Sequence, residues 1–270
     1  IKHTLEHTEH IRVGSGGVML PNHSPLVVAE QFGTMARIYP DRLDLGLGRA
    51  PGTDMKTADA LRRSQHDSVH TFPEDIKALL RYFGPEEAQG DVKAYPAVGT
   101  NIPIYILGSS PDSARLAAKL GLPYVFASHF APKFMEMAIS IYRNQFQPSA
   151  YLDAPYMIIC LNVIAAETDE EAKFEMTTMQ QFFSHVVRGS QSFLPPPVEN
   201  MDDHWSPYEQ EIASSMYSMT FLGSQHSIRE QYLRFQAKYN PDEIMVVTYI
   251  YDQAKQIRSY ELFQEAVNGD

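Results

Sequence analysis

Pro103-Ile-Tyr-Ile-Leu-Gly-Ser-Ser-Pro-Asp-Ser-Ala-Arg-Leu-Ala-Ala-Lys-Leu-Gly121 carries the most local information of any stretch in the chain. Ile104 to Leu107 is an apolar run of strand length. Gly108 permits a sharp turn. Ser109 or Ser110 suits a helix N-cap, Pro111 its first position and Asp112 its first turn. Ala114 to Leu120 forms helix readily, and Gly121 stops it. The segment reads strand, serine-rich turn, helix. Such a turn gathers backbone N–H groups and hydroxyls at the positive end of a helix, where a phosphate is well placed. Taken alone, the pattern also describes an ordinary capped helix.

Working back toward the N-terminus, Arg42 to Arg49 is a strand ending in Gly46-x-Gly48-Arg49. The dinucleotide fingerprint is absent, because there is no third glycine and no immediate helix. A glycine beside an arginine at a strand's C-terminal end can still clamp an anion; a surface arginine after a tight turn is the other reading. Ile11 to Leu20 is a strand interrupted by Gly14, Gly16 and Gly17, which suggests a bulge or a close approach of backbone to a ligand. Pro21 to Pro25 turns into a helix, with Ser24 as N-cap and an apolar stripe at Val28, Phe32, Met35 and Ala36. Pro40-Asp41 closes that helix. His3, His7 and His10 lie at helical spacing; with Glu6 and Glu9 beside them, they read as a solvated helix end rather than a metal face. Ala50 to Val69 is a long polar stretch of the kind that forms lids. Arg62 and Arg63 within it read as a solvated face, or as further anion contacts.

Downstream, Phe72 to Phe83 is an amphipathic helix with Ile76, Leu79, Leu80 and Phe83 on one face. Val92 to Val98 reads as a short edge excursion. Tyr124 to Phe130 is a buried strand with His129 at its C-terminal end. Phe134 to Phe146 is helical, and Tyr156 to Ala166 is a long apolar strand. Thr168-x-x-Glu171 resembles a capping box. Ser190 to Pro207, with Pro195, Pro196, Pro197 and the only tryptophan, Trp205, reads as an irregular surface excursion. Helices are expected over Glu209–Met219, Ser227–Tyr239 and Gln256–Val267, and a last strand over Glu243–Ile250.

The chain has 270 residues and a formal net charge of −11. One α/β domain over residues 1–270 is expected at this length. The acidic balance argues against nucleic acid or an anionic membrane as partner, without excluding a local basic pocket. The single cysteine, Cys160, excludes an internal disulfide and fits a reducing, cytoplasmic setting. No apolar run approaches the roughly 18 residues of a membrane span, and no signal peptide is seen.

The alternation of six strands with helices means parallel strands and crossover helices. A doubly wound sheet and a (β/α)8 TIM barrel both fit. The barrel fits better, because chemistry-bearing residues recur at the C-terminal ends of separate strands: Gly16/Gly17, Gly48/Arg49, Ser109/Ser110 and Ser128/His129. Eight strands close a barrel, so two are expected ahead of Ile1, which opens inside what reads as the tail of a helix.

Val13-Gly-Ser-Gly-Gly-Val-Met-Leu-Pro21, the stretch from Ala29-Glu30 to Asp44-Leu-Gly-Leu-Gly-Arg49, and Leu107-Gly-Ser-Ser-x-x-Ser113 together resemble the bacterial-luciferase-like flavin monooxygenases. The similarity continues through Gly121-Leu-Pro123, Thr168 to Ala172 and Asp242 to Val247. The resemblance implies a (β/α)8 barrel using reduced FMN, supplied by a separate flavin reductase, and O2 as co-substrate. It places Gly16-Gly17 at a cis non-proline peptide against the flavin ring. It assigns the FMN phosphate to Arg49, with Gly108, the Ser109 backbone, Ser110 and Ser113. Gly48 stands where the luciferases proper have a cysteine, so light emission is not implied. The family's best-known catalytic histidine falls ahead of Ile1. His129 and His23 are candidates for proton transfer, since histidine titrates near neutral pH; each is otherwise a structural or pocket-lining residue. The expected activity is oxygenation of a small organic substrate, an aldehyde among the candidates, by a homodimer. Three rivals are an F420-dependent hydride-transfer enzyme on the same fold, a non-catalytic flavin-binding protein, and a metal-dependent barrel hydrolase, for which no ligand set is seen.

Overall fold

The structure is a computed structural model that describes residues 1–50, 57, 71–190 and 192–269. Arg62, Arg63 and nearly all of the polar stretch after Ala50 lie outside the described residues. Two compact units are formed: Ile1–Gly108, Asp112–Val125 and Ile141–Pro155 make the first, and Ser109–Pro111, Phe126–Ser140 and Tyr156–Asp270 the second.

In the first unit, α1 (Lys2–Glu6) leads into β1 (Val13–Met19), α2 (Pro25–Ile38), β2 (Leu43–Gly48), α3 (Phe72–Phe83) and β3 (Ile104–Gly108). β1 pairs with β2 and β2 with β3, all parallel. Leu43, Leu45 and Leu47 of β2 are buried, as a central parallel strand requires. α3 matches its expected bounds and buries Phe72, Ile76, Leu79 and Phe83, the i, i+4, i+7, i+11 positions of one face. The excursion over Val92–Val98 contains a 3-10 turn at Tyr95–Ala97, so close to α2 that a Cβ at Gly33 would fall 2.5 Å from the Ala97 Cα. The helix α4 (Pro111–Leu120) presents the small Ala114, Ala117 and Ala118 inward. It ends at Gly121, whose φ of 61° and the Gln147 carbonyl, 2.5 Å from where a Cβ would sit, both demand glycine. β4 (Tyr124–Ala127) stops three residues short of Phe130.

After α5 (Met135–Gln145), the second unit is built on β5 (Met157–Ala165), in which all nine residues are buried. Continuous burial of that kind marks a strand covered on both faces. α6 (Asp169–Val187) follows, its N-cap Thr168 accepting from the Glu171 N–H. The reciprocal half of the expected capping box is not made; the Glu171 carboxylate pairs with Lys255. Next come α7 (Pro207–Met216), β6 (Thr220–Gly223), α8 (Gln225–Tyr239), β7 (Glu243–Val247) and α9 (Gln253–Asn268). β6 and β7 both pair in parallel with β5. β6 is a correction to the sequence reading: Thr-Phe-Leu-Gly is too short for any periodicity to show. The described residues therefore contain seven strands, not six. The fold is α/β with parallel strands. Among the described residues no helix is long and apolar enough to cross a membrane.

α7 also starts earlier than expected. Ser206 and Glu209 form a full capping box, and Arg188 binds the Glu209 carboxylate as well. The Arg188 guanidinium, with the Ser206 N–H, holds the Glu209 carboxyl at about 2, below its ordinary 4.5. A depressed carboxyl pKa stabilises the fold above the unfolded value, and that contribution is lost as pH falls through the folded one. The first turn of α7 will accordingly fray between pH 4.5 and pH 2, seen as faster amide exchange at Gln210 to Ala213. Glu209→Gln will be frayed at neutral pH and change little across that window.

Cys160 is buried on β5, and desolvation pushes its thiol up to about 12. The folded protein will not react with a thiol reagent at pH 8, whereas the unfolded chain will consume one equivalent.

Candidate active site

The register of β1, β2 and β3 brings three strand ends together. Met19 lies opposite Gly48, and Gly48 opposite Leu107. Adjacent strands are about 4.8 Å apart, so the segments that leave these ends emerge side by side. They are Leu20–His23 after β1, Arg49 after β2, and Gly108, which ends β3. Arg49 is exposed, so its guanidinium is accessible to an anion. Ser109 and Ser110 are the two residues that join Gly108 to the first helical residue, Pro111.

Gly16 and Gly17 lie within β1 rather than at its tip, and the peptide between them is cis. The β1–β2 register shifts here: Ser15 faces Leu45 and Val18 faces Leu47, so β1 carries one extra residue, the expected bulge. Ser15 clips the irregularity to β2. Its hydroxyl donates to the Gly46 carbonyl at 2.9 Å and accepts from the Gly46 N–H at 3.1 Å. The glycines divide into two kinds. A Cβ on Gly46 would fall 2.2 Å from the Ser15 carbonyl oxygen, and one on Gly17 would fall 2.7 Å from that of Gly46. Gly16 and Gly48, by contrast, have nothing among the described residues within 4 Å of a Cβ. Two glycines thus let the strands close, and two leave open space beside them.

The serine turn is equally tight. A Cβ at Gly108 would lie 2.1 Å from Ser113 Oγ, so the hydroxyl sits directly under the turn. Ser113 is buried, and its Oγ is 2.9 Å from the Tyr124 hydroxyl. Burial raises the Tyr124 pKa, so that hydroxyl is protonated and able to donate. A serine hydroxyl that accepts from Tyr124 retains its own proton for another acceptor.

The two histidines fall in different units. His23 is exposed and follows the 3-10 turn at Leu20–Asn22. His129 belongs to the turn after β4, and side chains from β5 hold that turn in place. Asn162 Nδ2 donates to the His129 carbonyl at 2.6 Å, and Ser128 Oγ to the Cys160 carbonyl at 2.5 Å. Desolvation lowers the His129 pKa, which keeps the ring neutral at pH 7. Its buried Nδ1 and the buried Oδ1 of Asn162 have no hydrogen-bond partner in the structure. Among the described residues no group of three or more His, Cys, Asp or Glu side chains could hold a metal ion. His7 Nδ1 instead bonds the His3 carbonyl at 2.8 Å, and His10 lies beyond α1.

Ser15, Tyr124 and Asn162 were not singled out from the sequence. Ser15 had a signal, since it interrupts the glycines of β1. Tyr124 and Asn162 sit inside apolar runs, where nothing local marks a polar partner.

A family model described as luciferase-like monooxygenase matches residues 3–239, and the chain belongs to that family. "Uncharacterized protein YddN" of Bacillus subtilis is 50% identical over 268 residues, covering 99% of this chain and 79% of that protein. A "Luciferase-like monooxygenase" of Escherichia coli is 46% identical over 262 residues, covering 97% and 78%. Among solved structures, apo-MsnO8 superposes with a TM-score of 0.85 at 32% identity, covering 99% of this chain and 81% of its own. More distant structures share the fold alone. One is an oxygenating component of 3,6-diketocamphane monooxygenase in complex with FMN, at TM-score 0.69 and 15% identity, covering 100% and 82%. Another is a coenzyme F420 dependent tetrahydromethanopterin reductase, at TM-score 0.67 and 15% identity, covering 99% and 85%.

Proposed function

We propose that the protein is an FMN-dependent monooxygenase that oxygenates a small organic substrate. One observation carries this reading: Gly48 pairs with Leu107, so Arg49 and Gly108, under which Ser113 lies, each follow a paired residue on adjacent strands. A guanidinium and a helix N-terminus side by side form a phosphate site of the kind a mononucleotide requires. Arg49 would hold the phosphate of FMN with Gly108, Ser109, Ser110 and Ser113, and Tyr124 would orient the Ser113 hydroxyl. Gly16 and Gly48 would leave room for the ring, and Gly17 would let β1 close on β2 beside it. Reduced flavin, when bound, supplies the electrons that activate O2. The chain's own part is to orient the cofactor, exclude water and place an imidazole, that of His129 or of His23, for proton transfer.

A (β/α)8 barrel, a cytoplasmic homodimer and a flavin reductase as electron donor complete the proposal. The reductase would feed reduced FMN in solution, which suits a site built around a single phosphate. Oxygenation with 18O2 tests the activity. Given reduced FMN from a reductase, one 18O atom should enter an organic product. Reduction of a substrate by reduced F420 without O2 uptake would replace this reading with the hydride-transfer one.

A further inference from the structure

We propose that a half-open cavity beside the C-terminal half of α6 binds a neutral, largely apolar small molecule through stacking and van der Waals contact. On the monooxygenase reading above, on which this assignment of role rests, that molecule is the oxidisable substrate or its apolar portion.

The cavity holds about 630 Å³ and is lined by Phe182, His185, Val186, Ser190, Ser192 and Phe193. That volume lies within the range of sites for small organic ligands, roughly 300–1,000 Å³, and below what a docked protein segment would need. Among the described residues no carboxylate, amine or guanidinium lines it. An ionised ligand would therefore lose hydration with no counter-charge to meet it. Phe193 is 96% exposed and Val186 44% exposed, so two large apolar side chains stand open to water at its walls. Covering them recovers free energy in proportion to the apolar area removed from solvent.

The walls are held firmly. Phe182 leans on Tyr249 with ring centroids 5.1 Å apart, and Phe183 meets Tyr249 at 5.8 Å and Tyr217 at 5.6 Å. Tyr249 is the second residue past the end of β7, so the aromatic floor is set by the C-terminal end of a parallel strand, where α/β enzymes place their ligands. The opposite wall belongs to the proline-rich excursion, which is tied back to α6. Gln181 Nε2 donates to the Pro196 carbonyl at 2.9 Å, and the Val198 N–H donates to Thr177 Oγ1 at 2.9 Å. The polar lining is used locally. Ser190 Oγ donates to the His185 carbonyl at 3.1 Å, and Ser192 Oγ to the Phe193 carbonyl at 2.9 Å. Hydroxyls so engaged can still accept, which suits one neutral hydrogen-bonding group such as an alcohol.

Fluorescence titration of the full chain with the neutral probe N-phenyl-1-naphthylamine tests this. The wild type should bind the probe saturably at one site. Val186→Asp and Phe193→Ser, both at exposed positions and checked for native circular dichroism, should each weaken binding about tenfold or more. 1-Decanol should displace the probe at concentrations at least about tenfold below those needed with decanoate. Unchanged binding in both variants, or equal displacement by decanoate, overturns the proposal. Affinity for reduced FMN is measured on the same proteins. Both variants should keep it, so that a lost probe signal reports the cavity alone. A wild type that binds the probe but not reduced FMN would sink the monooxygenase reading and leave the cavity assignment standing.

Discussion

Arg49→Ala will weaken the binding of reduced FMN by roughly 30- to 150-fold, the loss of about 2–3 kcal/mol from a charge-assisted contact to phosphate. Anaerobic titration followed by flavin fluorescence reads this directly. Arg49 is exposed at the end of β2, so its removal leaves no buried group without a partner, and thermal stability should be unchanged. Arg49→Lys should recover only part of the affinity, because an ammonium supplies charge without the planar fork that meets two phosphate oxygens. Ser110→Ala should cost less than Arg49→Ala, since it removes one hydroxyl and leaves the helix N-terminus in place. An arginine whose loss damaged stability but not flavin affinity would be a strand-end fixture and nothing more.

Gly46→Ala will be strongly destabilising. Its Cβ would fall 2.2 Å from the Ser15 carbonyl oxygen and 2.7 Å from Leu107 Cδ1. The first of these is backbone and cannot rotate away, and the clip between Ser15 and Gly46 would have to open for the strands to separate. A cost of about 3 kcal/mol, at the upper end for overpacking, corresponds to a fall of roughly 6–12 °C in Tm for a chain of this size. Gly48→Ala and Gly48→Cys are the controls two residues away. None of the described residues lies within 4 Å of a Cβ at Gly48, so both should melt within a few degrees of wild type. Their effect should fall on flavin binding instead, because the open space is what the proposed ring would use. Differential scanning fluorimetry of the variants side by side separates the two behaviours.

The elements most readable from sequence were those whose residues announce themselves locally. Phe72–Phe83 had a long, strict helical period, and its bounds match the structure. The Pro103–Gly121 segment carried a strand, a turn and a helix with their own punctuation, and all three are present. β6 was invisible because its four residues are held by pairing with β5 and by nothing in their own pattern. The capping box at Ser206 was hidden by the prolines around it, which read as a surface loop running through Pro207. Within the site, the glycines and Arg49 were legible because strand-end glycines are unusual enough to ask for a reason. Their division into closing and open positions was not, since it depends on which strand lies opposite. The pairing of Asn162 with the His129 carbonyl likewise spans 33 residues and exists only after β5 is laid down.

The proposed phosphate site at Arg49 and Gly108, which follow the paired residues Gly48 and Leu107, gives a consistent account of why a strongly acidic chain would take up a phosphate. The global field opposes an anion, and a local guanidinium and helix terminus must outweigh it. Such a site is specific for the phosphate and indifferent to most of the ring, so the phosphate should decide affinity. Parallel anaerobic titrations with reduced FMN and reduced riboflavin, which differ by that group alone, measure this. FMN should bind at least about 100-fold more tightly, and the margin should shrink to a few-fold in Arg49→Ala. Equal affinity for the two flavins in the wild-type protein would contradict the account.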